Sequence, residues 1–135
     1  MNKKANWLVS LISIVDDDQS VREATTSLLK SNGFRAEVFA SAEDFLASSY
    51  LDETRCLILD VQMPGMNGLE LQRRLATGNR SIPIIFISAH DNQEVRKQAT
   101  RAGAIDFLPK PFSEEALLRA IRAALGMSNE NLRPL

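Results

Sequence analysis

The chain has 135 residues, 44% of them hydrophobic and 24% charged, with 16 Lys and Arg against 17 Asp and Glu and a formal net charge of −1. Such a chain is too apolar for disorder, long enough to bury about two-thirds of its unfolded surface in one domain, and short of the dense basic footprint of a nucleic-acid-binding domain. The single Cys56 excludes an intrachain disulfide and, with the single His90, cannot supply the four soft ligands of a structural zinc site, so any metal here is a hard cation held by oxygen.

At the start of the chain, Lys3 and Lys4 precede a mostly apolar run, residues 7–15, that mimics the basic and hydrophobic parts of a signal peptide. The run closes on Asp16-Asp17-Asp18 with no small-x-small cleavage site, and it is far shorter than the roughly 18 residues of a membrane span. Residues 1–9 are therefore expected to be an N-terminal extension of a cytoplasmic protein that makes no contact with a membrane. Charge is unevenly placed: residues 1–60 carry 10 acids and 6 bases, residues 61–135 carry 7 and 10. Neither half is basic enough to hold DNA by itself.

Five short apolar runs follow in order, at residues 11–15, 36–39, 56–59, 82–87 and 104–108, mostly rich in Val, Ile or Phe as strands are. Three of them are nearly continuous in apolar residues, which predicts burial on both faces and hence a parallel sheet. Segments of helical period separate the runs. Val21, Ala24, Leu28 and Leu29 share a face that Gly33 ends, and Ser41 with Asp44 is a capping pair ahead of Phe45 and Leu46. Leu71 and Leu75 lie four apart before a stop at Gly78, and Val95, Ala99 and Ala102 share a face closed by Gly103. Ser113 caps a last helix with Glu114 and Glu115 in its first turn, a stripe of Leu117, Leu118, Ile121, Ala124 and Leu125, and Gly126 at its end. Five strand–helix units over residues 10–126 predict one doubly wound α/β domain, with residues 127–135 a tail or the start of a linker.

In such sheets ligands bind beyond the carboxyl ends of the strands. The first run ends in Asp16, Asp17 and Asp18, the third in Asp60, the fourth in Ser88, and the fifth leads into Pro109-Lys110-Pro111. Each has an ordinary alternative. Asp18, or Asp17, caps a helix as acids often do; Ser88 alone suits a turn; a lone lysine is usually solvated. Asp60 is harder to dismiss, because an acid ending a buried Leu-Ile-Leu run is costly to desolvate without a partner. Converging carboxylates repel and raise each other's pKa, and a divalent cation with an ammonium resolves the conflict. Mg²⁺ suits oxygen ligands and bridges carboxylates to phosphoryl oxygens; Lys110 and Ser88 supply a fixed charge and a hydroxyl donor. The residues point to phosphoryl transfer to or from Asp60. Competing signatures are missing from the sequence: it has no Gly-x-Gly-x-x-Gly after the first strand, no Walker A lysine and no Gly-x-Ser-x-Gly elbow.

In order along the chain stand Ile14-Val15-Asp16-Asp17-Asp18, then Leu59-Asp60-Val61-Gln62-Met63-Pro64-Gly65-Met66-Asn67-Gly68, then Ile84-Ile85-Phe86-Ile87-Ser88-Ala89, and finally Gly103-Ala104-Ile105-Asp106-Phe107-Leu108-Pro109-Lys110-Pro111-Phe112. Over residues 10–126 this set resembles the receiver domain of two-component response regulators. The segment Val38-Phe39-Ala40-Ser41-Ala42-Glu43-Asp44-Phe45-Leu46 is most similar to FixJ-type receivers, whose full proteins add a DNA-binding domain. The resemblance implies a flavodoxin-like, CheY-like five-stranded sheet of order 2-1-3-4-5 with five helices. It implies that Asp60 accepts a phosphoryl group from a histidine kinase or phosphotransfer protein. Asp17, Asp60 and the backbone carbonyl of Gln62 would ligate Mg²⁺ or Mn²⁺ directly, and Asp16 through water. Ser88 and Lys110 would grip the phosphoryl oxygens, Ala89 would leave the pocket open, and Gln62 and His90 occupy positions that tune hydrolysis, though position is the only evidence for His90 and an exposed loop imidazole is the stronger reading of it. Phe107 stands at the aromatic switch position without a phenol hydroxyl, so any switching acts through packing, and otherwise it is one more core aromatic. Such a domain catalyses only its own phosphotransfer and dephosphorylation, and its expected output is transcriptional regulation through a homodimer favoured by phosphorylation. Two other classes stay open: a degenerate receiver that only binds protein, and a Mg²⁺-dependent phosphatase working through an aspartyl phosphate.

Overall fold

The computed structural model describes residues 10–90 and 92–126; the expected N-terminal extension and C-terminal tail lie outside the described residues. Strands and helices alternate as β1 (Leu11–Val15), α1 (Gln19–Ser31), β2 (Arg35–Phe39), α2 (Ala42–Leu46), β3 (Thr54–Asp60), α3 (Gly68–Thr77), β4 (Ile84–Ser88), α4 (Gln93–Arg101), β5 (Asp106–Pro109) and α5 (Glu114–Ala124). All neighbouring strands run parallel, in the order β2-β1-β3-β4-β5. Both the alternation and the order match the expectation.

Strand residues alternate between two cores, because successive side chains leave opposite faces of a sheet. Leu57, Leu59 and Phe86 pack with Phe45 of α2, Leu71 and Leu75 of α3 and Ala99 of α4 on one face. Ile12, Ile14, Ile58, Ile85 and Ile87 pack with Leu29 of α1 and Leu117 and Ile121 of α5 on the other. β1 and β4 are buried throughout and β3 nearly so, whereas β2, at the sheet's edge, is half-exposed. Fully burying each such aliphatic side chain contributes about 1.5–3 kcal/mol, so the two cores carry the fold. The buried Ser13 hydroxyl inside β1 is satisfied by Thr54 Oγ1 at 2.7 Å.

Helix ends follow local chemistry. Asp18 caps α1, its Oδ1 accepting from Ser20 N at 2.8 Å, and Ser41 caps α2, its Oγ accepting from Asp44 N at 3.0 Å. Ser113 caps α5 in the same way, accepting from Ala116 N at 3.0 Å. The capping box of Asn67 and Glu70 on α3 went unread in the sequence, because Asn67 sits inside a run of turn residues. α3 ends at Thr77, so the stop falls at Gly78 as expected, but the left-handed turn comes one residue later. Gly78 is the C-cap with φ −87°, and Asn79, at φ 60°, takes the left-handed position while Arg80 N donates to Leu75 O. Asparagine tolerates that conformation better than other residues with a side chain, so glycine is not needed there.

Two strands begin later than the apolar runs suggest. Residues 82 and 83 precede β4, since Pro83 has no N–H to give the ladder, though its carbonyl accepts from Leu57 N at 2.9 Å. Ala104 belongs to the end of α4: Gly103 N donates to Thr100 O and Ala104 N to Ala99 O, a Schellman closure that holds Ala104 out of β5.

Candidate functional site

The chain leaves β1 toward β2 on one side and returns through β3 on the other, so strand order reverses between β1 and β3. In open parallel sheets such a reversal is where ligands bind, beyond the carboxyl ends of the strands. Asp16 follows β1 and Asp60 ends β3, with Asp60 paired in register to Ile87 of β4. Ser88 ends β4 beside Pro109 of β5, and Lys110 N donates to Ser88 O at 2.8 Å, which fixes where the lysine side chain starts. Four strands thus bring Asp16, Asp60, Ser88 and Lys110 to one edge, as their sequence positions predict.

The geometry centres on Lys110. Its Nζ lies 2.8 Å from Asp16 Oδ2 and 3.3 Å from Asp60 Oδ2, a bridge between two carboxylates that are themselves almost wholly buried. Asp16 Oδ2 has no aligned hydrogen bond, so the 2.8 Å contact is a charge pair rather than a directed bond. Asp16 Oδ1 accepts from Asp18 N at 2.9 Å, and Asp60 Oδ1 accepts from Gln62 N at 3.3 Å. Asp17, by contrast, is exposed, yet one carboxylate oxygen from each of Asp16, Asp17 and Asp60 fits within a 4.8 Å span.

One ammonium does not balance three carboxylates. Burial, then the Asp16 charge, pushes the Asp60 carboxyl up to about 6, and Lys110 and the Gln62 N–H pull it back only in part. Burial lowers the Lys110 ammonium, but its contacts with Asp16 and Asp60 outweigh that and hold it above the usual lysine range. A cluster of hard oxygens whose negative charge one ammonium does not balance suits a divalent cation with oxygen ligands. The residues present fit such an ion.

The remaining predicted residues surround this centre in distinct states. Ser88 Oγ donates to His90 O at 3.0 Å and accepts from His90 N at 3.1 Å, so its hydroxyl is engaged by its own loop. Gln62, Ala89 and His90 are exposed at the mouth. Phe107 is buried, stacked on Phe86 with centroids 6.0 Å apart. Arg96 of α4 lies over that ring, 4.8 Å from its centroid, and its Nη1 donates to Phe107 O at 3.3 Å. Sequence reading missed Arg96, and also Arg22, whose Nη1 donates to Asp16 O at 2.9 Å from the second turn of α1. Position was the available signal for Arg22: it sits one turn after the Asp18 cap, on the helix that starts at the acidic edge.

A doubly wound sheet with a buried carboxylate, an acidic cluster and a bridging lysine at its switch point defines a receiver. The family profile of the response regulator receiver domain matches residues 12–122, and the chain belongs to that family. It is 52% identical to the response regulator protein TmoT of Ectopseudomonas mendocina over 88% of this chain and 54% of that protein. It is 37% identical to the transcriptional regulatory protein FixJ of Azorhizobium caulinodans, over 90% of this chain and 58% of the relative. Among solved structures, the response regulator StyR superposes with a TM-score of 0.80 at 48% identity, over 86% of this chain and 59% of the other. The chain spans about half the length of the relatives it matches. No helix among the described residues is long and apolar enough to cross a membrane.

Proposed function

We propose that this domain, over residues 10–126, is a phosphorylation switch in which Asp60 accepts a phosphoryl group from the phosphohistidine of a histidine kinase or phosphotransfer protein. The observation that carries the reading is Asp60 itself: a carboxylate buried at the end of β3, 3.3 Å from an ammonium and inside a three-carboxylate cluster. An Asp60 carboxylate oxygen attacks phosphorus, the bond from phosphorus to the donor breaks, and the donor leaves with that electron pair. Asp17, Asp60 and the Gln62 carbonyl would hold Mg²⁺ or Mn²⁺ directly and Asp16 through water, and the bound ion would supply positive charge at the site of transfer. Lys110 then exchanges its carboxylate contact at Asp60 for a phosphoryl oxygen while keeping Asp16.

Ser88 gives the switch its direction. To donate to a phosphoryl oxygen its hydroxyl must release His90 O, which frees the loop leading into α4. Movement there opens space beside Phe86 into which Phe107 rotates, so that the surface of α4, β5 and α5 changes and favours a homodimer. Phosphorylation thereby biases a two-state equilibrium, with Gln62, Ala89 and His90 setting access of water to the acyl phosphate. The domain catalyses nothing beyond its own phosphotransfer and dephosphorylation. The names of its relatives, several of them transcriptional regulators, support transcriptional control as the output, exerted by a DNA-binding region outside this domain.

Incubation with Mg²⁺ and acetyl phosphate, read by intact mass, tests this. One phosphoryl increment is expected, lost in Asp60→Asn because the amide is not the nucleophile. Absence of any increment favours a degenerate, purely protein-binding receiver. Full labelling that persists in Asp60→Asn refutes the site, and steady turnover of added phosphate esters points to the phosphatase instead.

A further inference from the structure

The loop 61–67 joins Asp60 to α3 and carries Gln62. Its first residue is tied to the sheet, and its end is tied back to that residue. Val61 N donates to Ile87 O at 3.3 Å, and Gly68 N to Val61 O at 2.9 Å. Gly68 is pressed so tightly on the strand end that an added Cβ would lie 2.4 Å from Asp60 O. The far side of the loop is reached by a residue the phosphoryl chemistry does not use. Glu43, on the short helix α2, accepts a hydrogen bond at Oε2 from Met66 N at 3.0 Å, across 23 positions of sequence.

A second feature of the same loop answers the same oxygen. Gly65 has φ +76°, and a Cβ built on it would lie 2.8 Å from Glu43 Oε2. The carboxylate occupies the space a side chain at 65 would take, so Gly65 serves both the turn and the approach of Glu43. Glu43 is exposed, and an exposed hydrogen bond contributes little to global stability. What it can do is restrict where a polar loop sits. The segment it restricts leads back, within four residues, to the Gln62 carbonyl.

We propose that Glu43 is a positioning residue for the cation site: its carboxylate clamps the loop after Asp60 from α2 and so holds the Gln62 carbonyl where a cation needs it. The inference rests on the receiver reading above for the identity of the ligands. The clamp itself is a property of the metal-free chain and is measurable there. It also gives the Ser41-Ala42-Glu43 segment a task beyond starting a helix. Ser41 sets the first turn of α2 by capping, Ala42 is buried against the sheet, and Glu43 is thereby aimed outward at the loop.

Amide exchange and Mg²⁺ titration followed by NMR test this in Glu43→Ala, Glu43→Gln and Asp44→Ala. Glu43→Ala is expected to speed exchange of the Met66 amide roughly five-fold or more, as loss of a local closing contact does. It is expected to weaken Mg²⁺ binding about three- to ten-fold, the scale of one lost positioning hydrogen bond. Glu43→Gln keeps an acceptor oxygen and should restore both to within about two-fold, while Asp44→Ala, which removes a neighbouring charge of the same turn, should leave both near wild type. Faster Met66 exchange with an unchanged Mg²⁺ constant would overturn the proposal, since the clamp would then exist without serving the site. Equal weakening by Asp44→Ala would overturn it in favour of diffuse charge. A wild-type chain that binds no Mg²⁺ overturns the cation reading beneath it, which is a separate and visible result.

Discussion

Without a metal, Asp60 is a charge the fold tolerates poorly, and replacing it should stabilise the protein. Its carboxyl is raised from 3.8 to about 6, first by burial and then by Asp16. For an acid with a folded-state pKa above the unfolded value, the native state holds the proton more tightly. Stability therefore falls as pH rises from about 4 to about 6 and stays lowered above that window. A displacement of two units corresponds to roughly 3 kcal/mol at most. Water at the mouth of the crevice and the flexible Lys110 screen part of it, so about 1–2 kcal/mol is the realistic gain for Asp60→Asn at pH 7.5. For a domain of this size that is roughly 3–8 °C in melting temperature. Thermal melts in EDTA at pH 7.5 and near pH 4 provide the assay: the variant should melt higher at the first pH and level with wild type at the second. Added Mg²⁺ should reverse the order, because binding at a hundred times Kd contributes about 2.7 kcal/mol to the chain that retains the ligand. An Asp60→Asn variant that melts level with or below wild type in EDTA at pH 7.5 would show that the cluster is already balanced by Lys110, and would refute the surplus-charge argument.

Three further outcomes follow from the same geometry. Lys110→Ala should move the Asp60 titration, followed by carboxyl ¹³C shifts, above about 6 while leaving Mg²⁺ bound, since the ammonium contacts the carboxylates and is not itself a ligand. Gly68→Ala should cost roughly 1–3 kcal/mol in urea melts, because its Cβ meets backbone rather than a side chain that can swing away. An unchanged midpoint would mean the β3–α3 junction yields more readily than its packing implies. Arg96→Ala should lose about 0.5–2 kcal/mol through the guanidinium over Phe107, and its Phe107 ring resonances should broaden or shift; Lys97→Ala, one residue on, is the control.

Much of the site was legible because its residues stand at the ends of runs. A strand that is apolar until Asp60 announces both its own burial and the odd residue that closes it, and the same holds for Ser88 after residues 84–87. The topological rule for parallel sheets then places those ends together without any knowledge of distances. Caps were legible where a side chain and its helix are adjacent in sequence, as with Asp18, Ser41 and Ser113. The left-handed residue after α3 was not, since Gly78 and Asn79 both permit a stop and the choice depends on how Arg80 returns to Leu75.

By itself the sequence determined the alternation of five strands and five helices, the two-faced burial of the central strands and the identities of the acids, hydroxyl and lysine at the edge. Those features rest on periodicity and on residues near one another in the chain. Only the tertiary structure decided that Lys110 bridges Asp16 and Asp60, that Ser88 is held by the His90 backbone, that Arg96 covers Phe107 and that Glu43 reaches Met66. Apart from the local turn of Ser88 and His90, each of these joins a side chain on one element to a group on another. Their partners depend on how far each helix end stands from its neighbour, a distance set by the packing of both cores and written in no local stretch of sequence.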